Sequence, residues 1–232
     1  MNKLLPTMVF PGCAAINWLK AKPRVTRTSL IVFYLVGWLG MAIPAFTPLF
    51  IHLTPFALLV SFFILAVYHE KPLRLQTVII FLVIYGSGYL IEMIGVNTHL
   101  IFGHYEYGQG LGFKLWNTPV IIGLNWLLLT YTSSAMVEKL PLPSWVQILL
   151  ASLLMVVYDM VMEQVAPLMD MWYWLNSTIP VQNYLAWWII ATIFQILLRV
   201  FRLKITNPMA LTIFLCQFFF FLLLFITFQL RP

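Results

Sequence analysis

Apolar residues run almost unbroken along this chain, in blocks separated by short polar clusters. Seven blocks approach the ~20 residues that carry a helix across a bilayer. They are 29–50, 54–68, 75–96, 118–137, 144–167, 184–201 and 207–229. Three open on a capping residue followed by proline: Thr54-Pro55, Thr118-Pro119 and Asn207-Pro208. Proline at the first helical position loses nothing, because that N–H has no intrahelical partner. Pro44, Pro48 and Pro55 blur the boundary between the first two blocks, and the second block is short. The pattern predicts an all-α fold, a polytopic transmembrane helix bundle of about seven spans. Residues 1–28 form an interfacial or flexible lead-in, and 29–232 form one domain with no internal repeat.

Composition agrees with the pattern. Charged residues make up 9% of the chain and hydrophobic residues 62%, against about 25% charged in a soluble domain. The formal net charge of +6 therefore reads as topology and lipid-headgroup contact, with no nucleic-acid partner. With the N-terminus cytoplasmic, that side holds Lys3, Lys20, Lys22, Arg24, Arg27, Lys71, Arg74, Lys139, Arg199, Arg202 and Lys204. The opposite side keeps Lys114 and Arg231. This asymmetry places the N-terminus inside and the C-terminus outside. Cys13 and Cys216, the two cysteines, offer no disulfide framework or metal site. Pro6, Pro11 and Gly12 break the apolar part of the N-terminus, which makes a poor signal peptide.

One segment breaks the hydrophobic monotony. "GVNTHLIFGHYEYGQGLGFKLWNTP", residues 95–119, holds five of the eleven glycines, with two histidines, a glutamate and several aromatics. Connections this long without regular structure are usually functional. On the topology above it lies outside, together with most of the acids. Glu70 and Glu138 sit beside lysines in inner loops and read as surface charges. Glu92 lies ~26 Å along the third span and Asp159 ~22 Å along the fifth, both in the outer third. Glu106 and Asp170 belong to the outer connections, the candidate functional loops 95–118 and 168–183.

Ionisable side chains inside membrane spans are costly and mark function by default. Asp159 and Glu163 are four apart, on one helix face with Ser152 and Val156. Tyr85, Tyr89 and Glu92 share a face of the third span, where Gly88 and Gly95 allow close helix packing. Asn125 and Trp126, Asn183, Trp187 and Trp188, and the Trp172-Tyr173-Trp174 run complete an outer pocket of carboxyls, amides and aromatic walls. Asp159 and Glu163 also fit a purely structural pair, and residues 172–174 an interfacial aromatic belt. His99 and His104 suit ordinary hydrogen bonding better than metal ligation.

Such a pocket suits carbocation chemistry. A carboxyl in apolar surroundings favours its protonated form and can act as an acid. Protonating an alkene makes a cation, which desolvated aromatic faces stabilise by about 2 kcal/mol each. A second carboxylate or an amide can hold the attacking water or remove a proton. No metal or redox cofactor is needed. Four scattered histidines cannot build a diiron desaturase site, and the last span lacks the lysine of a retinal protein. A transporter would carry polar residues through the full depth, whereas only the sixth span has a deeper row: Trp188, Thr192, Gln195 and Arg199.

"YLIEMIGVNTHLIFGHYEYGQGLGFKLWNTPVIIGLNW", with "YDMVMEQVAP", "WYW" and "IPVQNYLAWW" downstream, resembles the membrane-embedded carotenoid hydratases of the γ-carotene and bisanhydrobacterioruberin type. The resemblance covers 89–188 and departs at His99, where the family has glycine after threonine. It implies addition of water across the terminal double bond of an acyclic carotenoid end, giving a tertiary alcohol at C1. The partners it implies are lycopene, γ-carotene or a related carotenoid, water, the bilayer and other carotenoid enzymes. The expected location is a prokaryotic cytoplasmic membrane, with the pocket toward the extracytoplasmic side. On the residues themselves, Asp159 or Glu163 is the expected proton donor, with the other tuning it. Glu92 and Glu106 would position and deprotonate the water, helped by Asn125 and Asn183. Tyr89, Tyr105, Tyr107, Trp116, Asn117, Trp126, Trp172, Trp174 and Trp187 are the expected substrate-lining residues. The segment 95–119 is expected to be a glycine-flexed lid over the pocket mouth. A carotenoid cyclase uses the same protonated alkene without a water, and a carotenoid-binding or transport protein would need no facing acids; product identity separates the three.

Overall fold

The computed structural model describes residues 11–70, 74–175 and 177–230. Lys3, Lys71 and Arg231 of the charge argument lie outside them, as does the first part of the lead-in. Nine α-helices occur among the described residues: α1 Pro11–Ala21, α2 Pro23–Ala42, α3 Thr47–His52, α4 Thr54–Val67, α5 Leu75–Thr98, α6 Ile121–Val137, α7 Ser144–Glu163, α8 Val181–Val200 and α9 Ala210–Gln229. Five of them (α2, α5, α7, α8 and α9) are long and apolar enough to cross a membrane; α4 and α6 are shorter apolar helices.

Proline chemistry explains where the pattern and the helices part. The first block is not one helix. It starts early, at Pro23, and stops at Ala42 because Ile43 is held extended (ψ 114°), as a residue before proline prefers. Residues near Pro48 and Pro55 then start α3 and α4 afresh. Thr118-Pro119 does not open a helix; it is a strand, and α6 begins at Ile121. Asn207-Pro208 likewise precedes α9: the Asn207 side chain accepts from the Met209 N–H at 2.9 Å and shapes the turn before it. The lead-in is helical over Pro11–Ala21.

The all-α expectation needs one correction. Segment 95–119 and the turn after α7 contain four short strands, β1 Tyr105–Tyr107, β2 Lys114–Leu115, β3 Thr118–Pro119 and β4 Trp172–Trp174. β1 pairs antiparallel with β4, and β2 with β3. The segment is thus folded, and most of its glycines serve close approach more than flexing. A Cβ on Gly108 or Gly110 would collide with the backbone of Met169 and Asp170. His99 ends α5 in the left-handed region (φ 61°), its N–H bonded to the Gly95 carbonyl at 2.8 Å. That is a position glycine often takes, so the departure expected at His99 falls where the backbone is left-handed.

α6 is the hub, buried along nearly its whole length and packed against α4, α5, α7, α8 and α9. Its crossing with α5 is close because Gly88 lies on Trp126, where an added Cβ would come 2.7 Å from that ring's own Cβ. One end of the bundle joins α2, α4, α5, α8 and α9 through polar contacts. Thr26 and Tyr68 share a hydroxyl pair at 2.8 Å, Arg27 donates to the Pro208 carbonyl, and Gln76 to that of Phe201. Glu138, expected as a surface charge, forms a half-buried ion pair with Arg199 at this end. The deeper row on α8 is no channel: Gln195 donates to the Thr130 carbonyl and Ser133 hydroxyl of α6, and Trp188 is exposed.

Candidate functional site

The opposite end of the bundle carries the acids. A strand projects alternate side chains to opposite faces, and both β1 and β4 bury their first and third residues. Tyr105 lies across from Trp174 and Tyr107 across from Trp172, so four aromatic side chains point down into the helices together. Their polar tips divide between two carboxyls. The Tyr105 and Tyr107 hydroxyls each donate to Glu92 Oε2 at 2.7 Å, and the Trp126 indole N–H donates to Glu92 Oε1 at 3.0 Å. The Trp172 and Trp174 indoles donate to Glu163 Oε2 at 3.0 and 2.7 Å. Burial, and next the neighbouring Glu92 carboxyl, push both tyrosine hydroxyls well above the ordinary range, so they stay protonated donors.

Asn183 joins the acids from the first turn of α8. Its Nδ2 donates to Glu163 Oε1 at 3.1 Å and to Asp159 Oδ2 at 3.0 Å. Asp159 is wholly buried one helical turn beneath Glu163, and its Oδ1 has no hydrogen-bond partner. Trp187 stacks on Trp126 at 4.0 Å and floors the cluster. Between these groups lies a cavity of about 20 Å³, lined by Glu92, Glu163, Asn183, Trp187 and the four strand aromatics, with Phe102 and Ile122. One water needs roughly 10–15 Å³, so the space has room for a water but not for a hydrocarbon end group.

Several expected residues are placed elsewhere. Glu106 is exposed, on the outer face of β1 beside Tyr173, because the pleat that buries Tyr105 and Tyr107 turns it away. Trp116 and Asn117 form the tip of the β2–β3 hairpin, both at positive φ (48° and 61°), and both are exposed. Asn117 donates to the Asn97 side chain, and Tyr89 to the Leu115 carbonyl at 2.7 Å. These residues pin the hairpin to α5 instead of lining the cavity. Asn125 is buried on α6 but does not line it either. Asp170 accepts from the Gln109 N–H and from Tyr173, fixing the turn that carries β4. His99 and His104 stack ring on ring at 4.6 Å, and no cluster able to hold a metal ion occurs among the described residues. Phe102 and Ile122 were not legible as lining residues, since an apolar residue in an apolar chain carries no signal.

A buried set of three carboxyls, each within reach of N–H or O–H donors, can hold one water and move a proton without leaving the protein. No curated protein and no solved structure matches the chain. Residues 31–231 match the carotenoid biosynthesis protein family. That match takes in the latter part of α2, every helix from α3 onward and every residue of the acid cluster, and the chain belongs to the carotenoid biosynthesis protein family, with a role in carotenoid biosynthesis.

Proposed function

We propose that the protein hydrates the terminal C1=C2 double bond of an acyclic carotenoid end group. The observation that supports this reading is the one-water cavity between Glu92 and Glu163. Cyclisation of the same cation would have no use for a water at that place. Asp159 and Glu163, bridged by one Asn183 nitrogen, share a proton, because two adjacent buried carboxyls do not both ionise. Glu163, which lines the cavity, passes it to C2; its O–H bond breaks as the C–H bond forms. The tertiary cation at C1 then lies among the rings of Tyr105, Tyr107, Trp172, Trp174 and Trp187. Water held by Glu92 attacks C1, its oxygen forming the new C–O bond. The proton it sheds passes to a carboxylate of the cluster, which balances the one consumed. Tyr105, Tyr107 and Trp126 hold Glu92 as the acceptor for this step.

The end group needs more room than the cavity offers, so binding requires the lid formed by β1 and β4 to lift. We place the two short helices across the membrane as well, giving seven spans. At 1.5 Å per residue α4 covers ~21 Å and α6 ~26 Å, and the lid completes the outer thickness over α4 and α6. The basic end faces the cytoplasm and the acid cluster faces outward.

The test is expression in cells that accumulate lycopene or γ-carotene, with pigments analysed by chromatography and mass spectrometry. A more polar pigment, heavier by one water and with an unchanged visible spectrum, is expected. A product of unchanged mass and blue-shifted spectrum would mean cyclisation. Glu163→Gln is expected to lose roughly 10²–10⁴-fold in activity, the usual contribution of a general acid. If Glu163→Gln and Asp159→Asn both kept full activity at normal expression, the acid assignment would be wrong.

A further inference from the structure

The acid cavity cannot hold a carotenoid, and the rest of the substrate needs a place. A much larger hollow, about 650 Å³, lies between α4, α5 and α6. Its walls are Leu59, Phe62, Phe81, Leu82, Leu124 and Leu127, and its roof is Leu111 and Phe113 of the lid segment. Tyr85, the one lining side chain with a hydroxyl, turns that group onto the Val120 carbonyl at 3.1 Å. A second hollow of about 90 Å³ continues it along the same helices, sharing Phe62, Phe81 and Leu127 and ending on His69 and Tyr131. From Pro55 to Ala66, the α4 residues that bound the two hollows, the trough runs about 17 Å.

We infer that this trough holds the polyene chain of the substrate, an inference that rests on the carotenoid reading above. Three observations favour a stiff conjugated chain over a lipid tail. The trough is apolar along its length with the rings of Phe62 and Phe81 in its walls, and a rigid ligand loses little conformational freedom on binding. Its roof is the chain segment that also carries Tyr105 and Tyr107 to Glu92, so filling the trough acts directly on the lid. It comes near the acid cavity at the first turn of α6, where Ile121 lines the trough and its neighbour Ile122 the cavity, although the two share no lining residue. Two further hollows, about 350 Å³ between α2 and α9 and about 280 Å³ between α2, α3, α4 and Phe220 of α9, have no residue from the lid or from α5, α6 or α7. On this reading the chain lies along α5 toward the basic end of the bundle, and the end group enters the acid cluster at the first turn of α6 once the lid lifts.

The test uses the full chain purified from lycopene-accumulating cells, with bound pigment read as absorbance per protein. Leu59 and Leu82 are half-exposed or more at the trough's rim, so Leu59→Trp and Leu82→Trp fill it without disturbing the core. Both are expected to carry roughly tenfold less pigment, equivalent to about 1.4 kcal/mol. Leu211→Trp and Leu215→Trp, in the α2–α9 hollow, are expected to carry the wild-type amount. Unchanged pigment in both trough variants, as for a trough filled by lipid tails, would overturn the inference, as would equal loss in the α2–α9 variants. The two readings fail separately. Pigment lost from trough variants of a protein that makes no hydrated product leaves the trough standing and removes hydration. Hydration with pigment undiminished in the trough variants does the reverse.

Discussion

At the scale of single residues, the site is an exercise in donor supply. A carboxylate buried without partners is expensive, and a hydrogen bond to a charged group contributes about 1.5–3 kcal/mol. Glu92 has three donors and Glu163 three, whereas Asp159 has one and a bare oxygen. Tyr107→Phe should lower activity by about tenfold or more through Glu92, with Tyr105→Phe similar, measured as product per protein. Glu106→Gln should leave activity within about twofold, since the pleat of β1 turns that side chain outward; a large loss would put Glu106 back among the acids. The tyrosines also set a pH limit. Their raised values mean that the native state keeps protons which the unfolded chain releases above about pH 10. Stability is therefore insensitive to these groups below that pH and falls above it, by up to ~1.4 kcal/mol per pH unit for each. Tyr107→Phe should flatten that decline in alkaline thermal melts.

At the scale of elements, the contrast between what the sequence discloses and what it hides follows from periodicity. Long apolar blocks announce helices, and a carboxylate inside one announces itself, so Glu92, Asp159 and Glu163 were readable as a group. Three-residue strands leave no comparable trace. "YEY" and "WYW" alternate in burial, yet neither composition nor spacing says that they pair. Without the pairing, Glu106 looks like one more acid in an acidic region, and Trp116 and Asn117 look like wall residues. Trp116 is instead an exposed ring on a hairpin tip, beside Phe113 and Leu115, in the manner of interfacial aromatics. For the same reason Gly108 and Gly110 read as joints in the sequence, whereas the structure makes them contact points. Gly108→Val should force β1 off the turn at Met169 and Asp170 and so remove donors from both glutamates at once. Loss of activity should accompany slower-decaying protection from proteolysis in the wild type than in the variant. Gly88→Ala should lower stability by about 1–3 kcal/mol, the usual range for overpacking, as a reduced melting temperature in detergent.

At the scale of the whole molecule, the two ends are chemically opposite. Basic residues and the Arg199–Glu138 pair gather where α2, α4, α5, α8 and α9 meet, and the acids gather under the lid at the other end. A cysteine introduced at Lys20 should react with an impermeant thiol reagent only in inverted vesicles, and one at Glu106 only in intact cells or right-side-out vesicles. The same side for both would refute the orientation. Between the ends, Tyr34, Ser61, Gln217 and Tyr158 link α2, α4, α9 and α7 by buried hydrogen bonds at 2.7–3.4 Å. Such contacts, each about 0.6–2 kcal/mol in a membrane setting, hold the helices behind the site in register.

The pairing of β1 with β4 has a consequence for biogenesis. Tyr105 and Tyr107 leave the ribosome well before Trp172 and Trp174, and α6 and α7 are made in between. During that interval β1 has an unpaired edge and Glu163 has no indole to meet. The acid cluster thus closes only after α7 has crossed and Asn183 has arrived on α8. Helices that carry buried acids can enter the bilayer while water still reaches those acids, and the sealed acid cluster appears as one of the last acts of assembly.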